Sequence, residues 1–91
     1  MSGEILNGDI VQETHQTLLN MKQILEANGS DMGHVVRCEV LLHDFAERNE
    51  MNEEYVKHFP ADAMPARLCY GGVDLADNCK IEIIAIARKA V

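Results

Sequence analysis

The sequence contains no tryptophan, only two tyrosines and only two phenylalanines. A core built mainly from aromatic rings is therefore excluded, and aliphatic residues and methionine must supply the packing of a chain that is 47% apolar. A chain of 91 residues is predicted to form one domain, residues 1–91. A domain of this size buries only about 60–65% of its unfolded surface, and such domains often complete their core by self-association.

Basic residues are also scarce. Lysine and arginine total 8 against 15 aspartates and glutamates, which gives a net charge of −7. Because nucleic-acid binding depends on lysine and arginine contacts to phosphates, nucleic acid is not an expected partner. No apolar run approaches the ~18 residues needed to cross a bilayer, so no membrane partner is expected.

Cysteine is limited to Cys38, Cys69 and Cys79, without a CxxC pair. The odd number of cysteines and the lack of a signal-peptide pattern predict reduced thiols and a cytoplasmic protein. The four histidines show no HxxxH or CxxC…H spacing, so no metal site is expected. The sequence also has no phosphate-binding loop, and no cofactor is predicted.

The spacing of apolar residues predicts the order helix, strand, helix, strand, strand. Asp9 followed by Gln12 has the form of a capping box, and Pro60 ends the second helix. Two helices on one face of a small mixed sheet make an α+β sandwich. The predicted elements are the helices 10–28 and 45–59 and the strands 34–43, 66–71 and 80–88.

Two further expectations concern the strands. In the first strand, Val36, Cys38, Val40 and Leu42 alternate with more polar residues and are expected to form its apolar face. The strand–helix–strand step implies a parallel pair, whereas the last two strands are expected to form an antiparallel hairpin.

That hairpin would place Arg67 opposite Glu82, the one carboxylate in an otherwise apolar final strand. A charge in such a run needs a partner or a function. The pair is therefore either a structural ion pair or part of a binding site for a small anion, and spacing alone favours the ion pair.

Two neighbours of this pair have open interpretations. Cys69 lies two residues beyond Arg67 and points to the same side of the strand, either as a small buried residue or as a thiol that lines a pocket. Asn52 in the second helix is either a surface residue or one turned toward a partner.

Several segments together resemble the RidA/YjgF family of reactive-intermediate deaminases, also called endoribonuclease L-PSP or translation-inhibitor proteins. The resemblance runs over nearly the whole chain, and its most specific part is PAR-x-C followed by IEIxAIA. The segments that carry it are residues 8–44, NEEY at 52–55, PAR at 65–67, Cys69 and KIEIIAIA at 80–87.

The resemblance implies a chorismate-mutase-like α+β fold and a homotrimer with ligand clefts between subunits. It also implies hydrolytic deamination of 2-imino or enamine acids to 2-oxo acids and ammonia. Arg67 would bind the substrate carboxylate, and Glu82 would position the attacking water. Asn52 and Cys69 match positions that line the pocket.

One departure from the family pattern is expected to matter. Family members usually begin with a β-hairpin that carries a GPYSQA-like motif, and residues 1–10 resemble the segment after that hairpin. Ser2-Gly3 is a weak stand-in for a missing motif. The departure strengthens an alternative in which the same fold binds small carboxylates or metabolites without turnover. RNA cleavage, suggested by the family's older name, is a third and less favoured reading.

Overall fold

Two helices cover one face of a three-stranded mixed sheet in the computed structural model, which describes residues 8–89. The predicted α+β class and element order are confirmed, while the expectations for residues 1–7 lie outside the described residues. None of the described helices is long and apolar enough to cross a membrane. The elements are α1 (Ile10–Ala27), β1 (Val35–Leu42), α2 (Arg48–Tyr55), β2 (Ala66–Tyr70) and β3 (Ile81–Ala87).

The predicted capping box starts α1. The Asp9 carboxylate accepts the Gln12 backbone N–H at 2.8 Å, and the Gln12 side chain accepts the Asp9 N–H at 3.0 Å. One turn later the buried Glu13 carboxylate accepts the backbone N–H of Lys80 at 2.7 Å. This contact satisfies the buried charge and ties the start of α1 to the start of β3.

The sheet order corrects the predicted hairpin. β1 is the central strand, with β2 parallel to it on one side and β3 antiparallel to it on the other. The strand–helix–strand pair is therefore parallel, as predicted, but β2 and β3 do not pair. Hairpin loops usually have about 2–5 residues. The longer connection 71–80 instead carries the chain past β1 to the opposite edge.

The sheet has a buried inner face toward the helices and an exposed outer face. Cys38, Val40 and Leu42 lie inside, as predicted, but Val36 does not. A register shift between Val35 and Arg37 turns Val35 inward, at 4% exposure, and leaves Val36 at 42%. The irregularity adds a residue on one strand, so alternation fails at that point.

The second helix is shorter than predicted. Short 3-10 turns at Phe45–Glu47 and Val56–His58 flank α2. Since the two helix types advance the side chains by different angles, Phe45 and Val56 in the 3-10 turns do not share the buried side of α2 and are exposed. Met51, Tyr55 and Phe59 remain buried and join the core.

Candidate active site

Arg67 lies on β2, an edge strand, and its side chain points to the inner face. Its backbone position is opposite Cys38 of β1, and parallel neighbours in register share a face of the sheet. The residue is half-buried, between the exposed Ala66 and Leu68. Alternation along β2 therefore aims a permanent positive charge at the layer formed by α2.

Two residues of α2 hold the Arg67 guanidinium. Asn52 Oδ1 accepts a hydrogen bond from Arg67 Nη1 at 2.5 Å. The Arg67 Cζ atom lies 4.8 Å from the centre of the Tyr55 ring, in the range of a cation–π contact. Asn52 and Tyr55 are three residues apart, so they share one side of the helix. Asn52 is thus the residue turned toward a partner, and that partner is Arg67.

Arg67 has no carboxylate partner in the described region, because no acidic oxygen between residues 8 and 89 lies within 4.0 Å of its nitrogens. The predicted pairing with Glu82 is wrong. Glu82 lies opposite Leu41 on β3, and its exposed side chain points to the outer face. β1 separates the two residues, so the interpretation as an ion pair within one chain is also wrong.

The groups around Arg67 on the inner side are uncharged. Burial raises the pKa of the Tyr55 hydroxyl and the pKa of the Cys38 thiol, so both stay protonated near neutral pH. Cys69 is a free, half-buried thiol on the same side of β2. A guanidinium that faces an amide, an aromatic ring and thiols has its geometry fixed and its charge uncompensated, which favours the binding of an anion.

The Tyr55 side chain gives a test of how Arg67 is held. Its hydroxyl is buried beside the weakly polar Cys38 thiol and forms no hydrogen bond of normal geometry in the described region. We expect Tyr55→Phe to keep the stability and the ligand affinity, because the ring remains and only a hydroxyl without a normal hydrogen bond is lost. Tyr55→Leu should weaken carboxylate binding about 2–5-fold through loss of the cation–π contact.

The measurement is the Kd of a 2-oxo acid, determined by calorimetry for both Tyr55 variants. Equal affinities for Tyr55→Phe and Tyr55→Leu, in samples with equal melting temperatures, would show that the ring does not position the guanidinium.

Two of the concavities on the described surface have linings that do not include Arg67. One is a groove of about 310 Å³ between α1 and β3, where Met21, Ile24 and Ile83 are among the lining residues. The other lies beside the 71–80 connection and includes His43 and Lys80. Because β2 is an edge strand, Arg67 lies at an open edge of the sheet, where a second wall would enclose a ligand.

A second polar cluster joins the two helices. Glu54 of α2 is 7% exposed, and its Oε2 atom lies 2.9 Å from His15 Nδ1 and 2.7 Å from His58 Nε2. These hydrogen bonds, first that of His15, lower the pKa of Glu54 to about 2. Sequence reasoning missed this cluster. The spacing of Glu54 and His58, four residues apart, was a usable signal, whereas His15 joins them only through the packing of α1 on α2.

Most of the chain is similar in sequence to proteins that are already known. A family model for endoribonuclease L-PSP matches residues 1–89. The chain is 41% identical over 86 residues to Reactive Intermediate Deaminase A, chloroplastic, of Arabidopsis thaliana. The aligned region makes up 94% of this chain and 46% of that protein. It is 40% identical over 86 residues to human 2-iminobutanoate/2-iminopropanoate deaminase, and the aligned region makes up 94% of this chain and 62% of that protein. The chain thus spans about half to three fifths of the length of these two relatives.

Solved structures show the same fold. A YjgF-family protein of Neisseria meningitidis superposes with a TM-score of 0.88 at 30% identity, over 93% of this chain and 72% of that chain. Yeast Mmf1 superposes with a TM-score of 0.88 at 32% identity, over 94% of this chain and 68% of that chain. The sequence of this chain is therefore similar to those of the L-PSP and imine deaminase proteins, and its backbone is similar to those of the solved YjgF-type structures.

Proposed function

The chain belongs to the RidA/YjgF family, the endoribonuclease L-PSP family, and we propose that it hydrolyses 2-imino acids to 2-oxo acids and ammonia. Relatives at about 40% identity carry the name of an imine deaminase, which supports an enzyme of this class. The family resemblance predicted from the PAR-x-C and IEIxAIA segments is confirmed.

The observation that carries the proposal is the Arg67 guanidinium, which is held by Asn52 and Tyr55 and lacks a carboxylate partner in the described region. A 2-imino acid presents a planar carboxylate next to its reactive carbon. Arg67 gives one Nη1 hydrogen bond to Asn52, and the other donors of its planar fork remain for the two carboxylate oxygens. Binding the carboxylate in this way fixes the position of the imine carbon.

The reaction needs a bound water and a fixed substrate rather than a covalent intermediate with the protein. The oxygen of water bonds to the imine carbon, and the electrons of the C=N π bond move to nitrogen. One proton of the added water then passes to that nitrogen and gives a carbinolamine. Its second proton follows as the C–N bond breaks, so that ammonia leaves while the C=O bond forms. Orientation and charge placement are the contributions of the protein.

Glu82 can serve this site only from a second copy of the chain, since within one chain it lies across β1 and on the opposite face. We assign it the positioning of the attacking water in a homotrimer with clefts between subunits. The exposed outer face of the sheet supports this assembly. Its large apolar residues are Leu68, Tyr70, Ile84 and Ile86, each 43–55% exposed.

The separation of Glu82 from Arg67 also favours a second candidate function, non-catalytic binding of small carboxylates. That function requires Arg67 alone and needs no group to position water. RNA cleavage has no such support, because the net charge is −7 and nucleic-acid binding requires phosphate contacts.

Imine hydrolysis in a coupled assay tests the proposal. An amino-acid oxidase generates the 2-imino acid, semicarbazide traps the imine that survives, and the purified protein competes with the trap. We expect the protein to reduce the trapped imine in proportion to its concentration. No reduction relative to buffer, in a folded and oligomeric sample that binds a 2-oxo acid, would contradict the deaminase and support the binding protein.

A further inference from the structure

We propose that His15, Glu54 and His58 form a site for a divalent transition-metal ion, with Zn²⁺ as the best match. The site lies in the helix layer, shares no residue with the site built around Arg67, and does not depend on the proposed deaminase activity. One ligand atom from each residue lies within 4.8 Å of the other two. A metal bound here would link α1 to the end of α2.

The geometry is close to that of three ligands of a tetrahedral ion. Glu54 Oε2 lies 2.9 Å from His15 Nδ1 and 2.7 Å from His58 Nε2. Ligand atoms about 2.0–2.1 Å from a tetrahedral zinc ion are about 3.3 Å apart. Since the side chain of His15 is 53% exposed, rotation of its ring can lengthen its own distance to Glu54. The 2.7 Å distance between Glu54 and His58 must also lengthen, by about 0.6 Å, when the ion binds. The fourth position then faces solvent and takes water.

The donor set selects the class of metal. Two imidazole nitrogens and one carboxylate oxygen suit zinc and its first-row neighbours. Calcium and magnesium require about six or more oxygen ligands, which the cluster does not offer. Ion entry replaces the N–H…O hydrogen bonds. Each neutral imidazole moves its proton to the other ring nitrogen and presents a lone pair to the metal.

The charges around Glu54 are compatible with a bound cation. The Glu54 side chain is only 9% exposed, and in the absence of metal the two imidazoles satisfy its Oε2 atom. Lys57 Nζ lies 3.4 Å from the other oxygen, Oε1, with a side chain that is 68% exposed. Lys57 can therefore turn into solvent or remain on Oε1 while Oε2 binds the ion.

Zinc titration against a chromogenic chelator tests the site in the full-length chain, together with the variants His15→Gln and His58→Gln. We expect one zinc ion per chain and a loss of affinity of at least about tenfold in each variant, because losing a residue that only orients a metal ligand already costs about 10–100-fold. The matched control is His34→Gln, which removes a histidine whose Nδ1 lies 2.7 Å from Asp31 and which belongs to no three-ligand cluster among residues 8–89. This variant should bind zinc as the parent does.

Two further measurements separate the site from other sources of metal binding. Zinc should raise the melting temperature of the parent and of His34→Gln but not that of the half-exposed His15→Gln, whose fold does not depend on a buried side chain. Cobalt should give tetrahedral ligand-field bands without a thiolate charge-transfer band. Equal zinc affinity in the parent and His58→Gln, or a thiolate band from Cys38, Cys69 or Cys79, would overturn the proposal.

Discussion

Replacing Arg67 with alanine is expected to lower the rate of imine hydrolysis by about 10²–10⁴-fold. The guanidinium is held by Asn52 and Tyr55 and is proposed to give two charge-assisted hydrogen bonds to the substrate carboxylate. Such bonds are worth roughly 1.5–3 kcal/mol each, or roughly 3–6 kcal/mol together, which corresponds to this range of rates. Arg67→Lys keeps a charge but loses the planar fork, so we expect it to recover only part of the activity.

The measurement is the apparent second-order rate constant in the semicarbazide competition assay, with circular dichroism and sedimentation to show that each variant folds and assembles as the parent does. Lys22→Ala is the control, because Lys22 is an exposed cation on α1 paired with Glu26 at 3.8 Å. Parent-like hydrolysis by a folded Arg67→Ala protein would remove Arg67 from the site. A large loss in Lys22→Ala would instead indicate an effect of general charge.

The identity of the elements was predictable from the sequence, but the pairing of two of them was not. Apolar spacing, the Asp9 cap and Pro60 each act over a few residues, so they locate helices and strands without distant contacts. The pairing of β2 and β3 depends on which edge of β1 each strand occupies. The length of the 71–80 connection was the one local sign against a hairpin, since it exceeds the usual hairpin loop.

The same distinction applies to the candidate site. Arg67 was singled out as a charge in an apolar strand, and Asn52 was singled out with two open roles. Their contact was not predictable, because it depends on how α2 lies across β2. The placement of Glu82 opposite Arg67 followed from the wrong strand pairing, and β3 instead turns Glu82 to the outer face. Local patterns thus identify a residue that needs a partner, and the tertiary fold decides which partner it has.

Because β2 and β3 lie on opposite edges of β1, Arg67 and Glu82 are separated within one chain, and the outer face of the sheet acquires a possible role in assembly. If Arg67 and Glu82 act together, they do so across a boundary between copies, and the apolar outer face of the sheet is the surface available to form it. Ile84→Asp is therefore expected to convert the assembly to monomers and abolish hydrolysis. Ile84 is 47% exposed in a single chain, so aspartate costs the isolated domain little. In a packed interface it would bury an unpaired charge, which costs several kcal/mol.

Sedimentation equilibrium of Ile84→Asp and the parent measures the change, and Val11→Asp is the matched control. Val11 is 40% exposed on the first turn of α1, outside the sheet, where a negative charge is favourable. We expect Val11→Asp to keep the parent's mass and activity.

An unchanged mass for Ile84→Asp would show that the outer face is not the interface. Monomers that still hydrolyse imine would show that Arg67 works without Glu82 of a second copy. A site shared between copies requires that Ile84→Asp lower the oligomeric mass and abolish hydrolysis together, because Arg67 and Glu82 cannot meet in one chain.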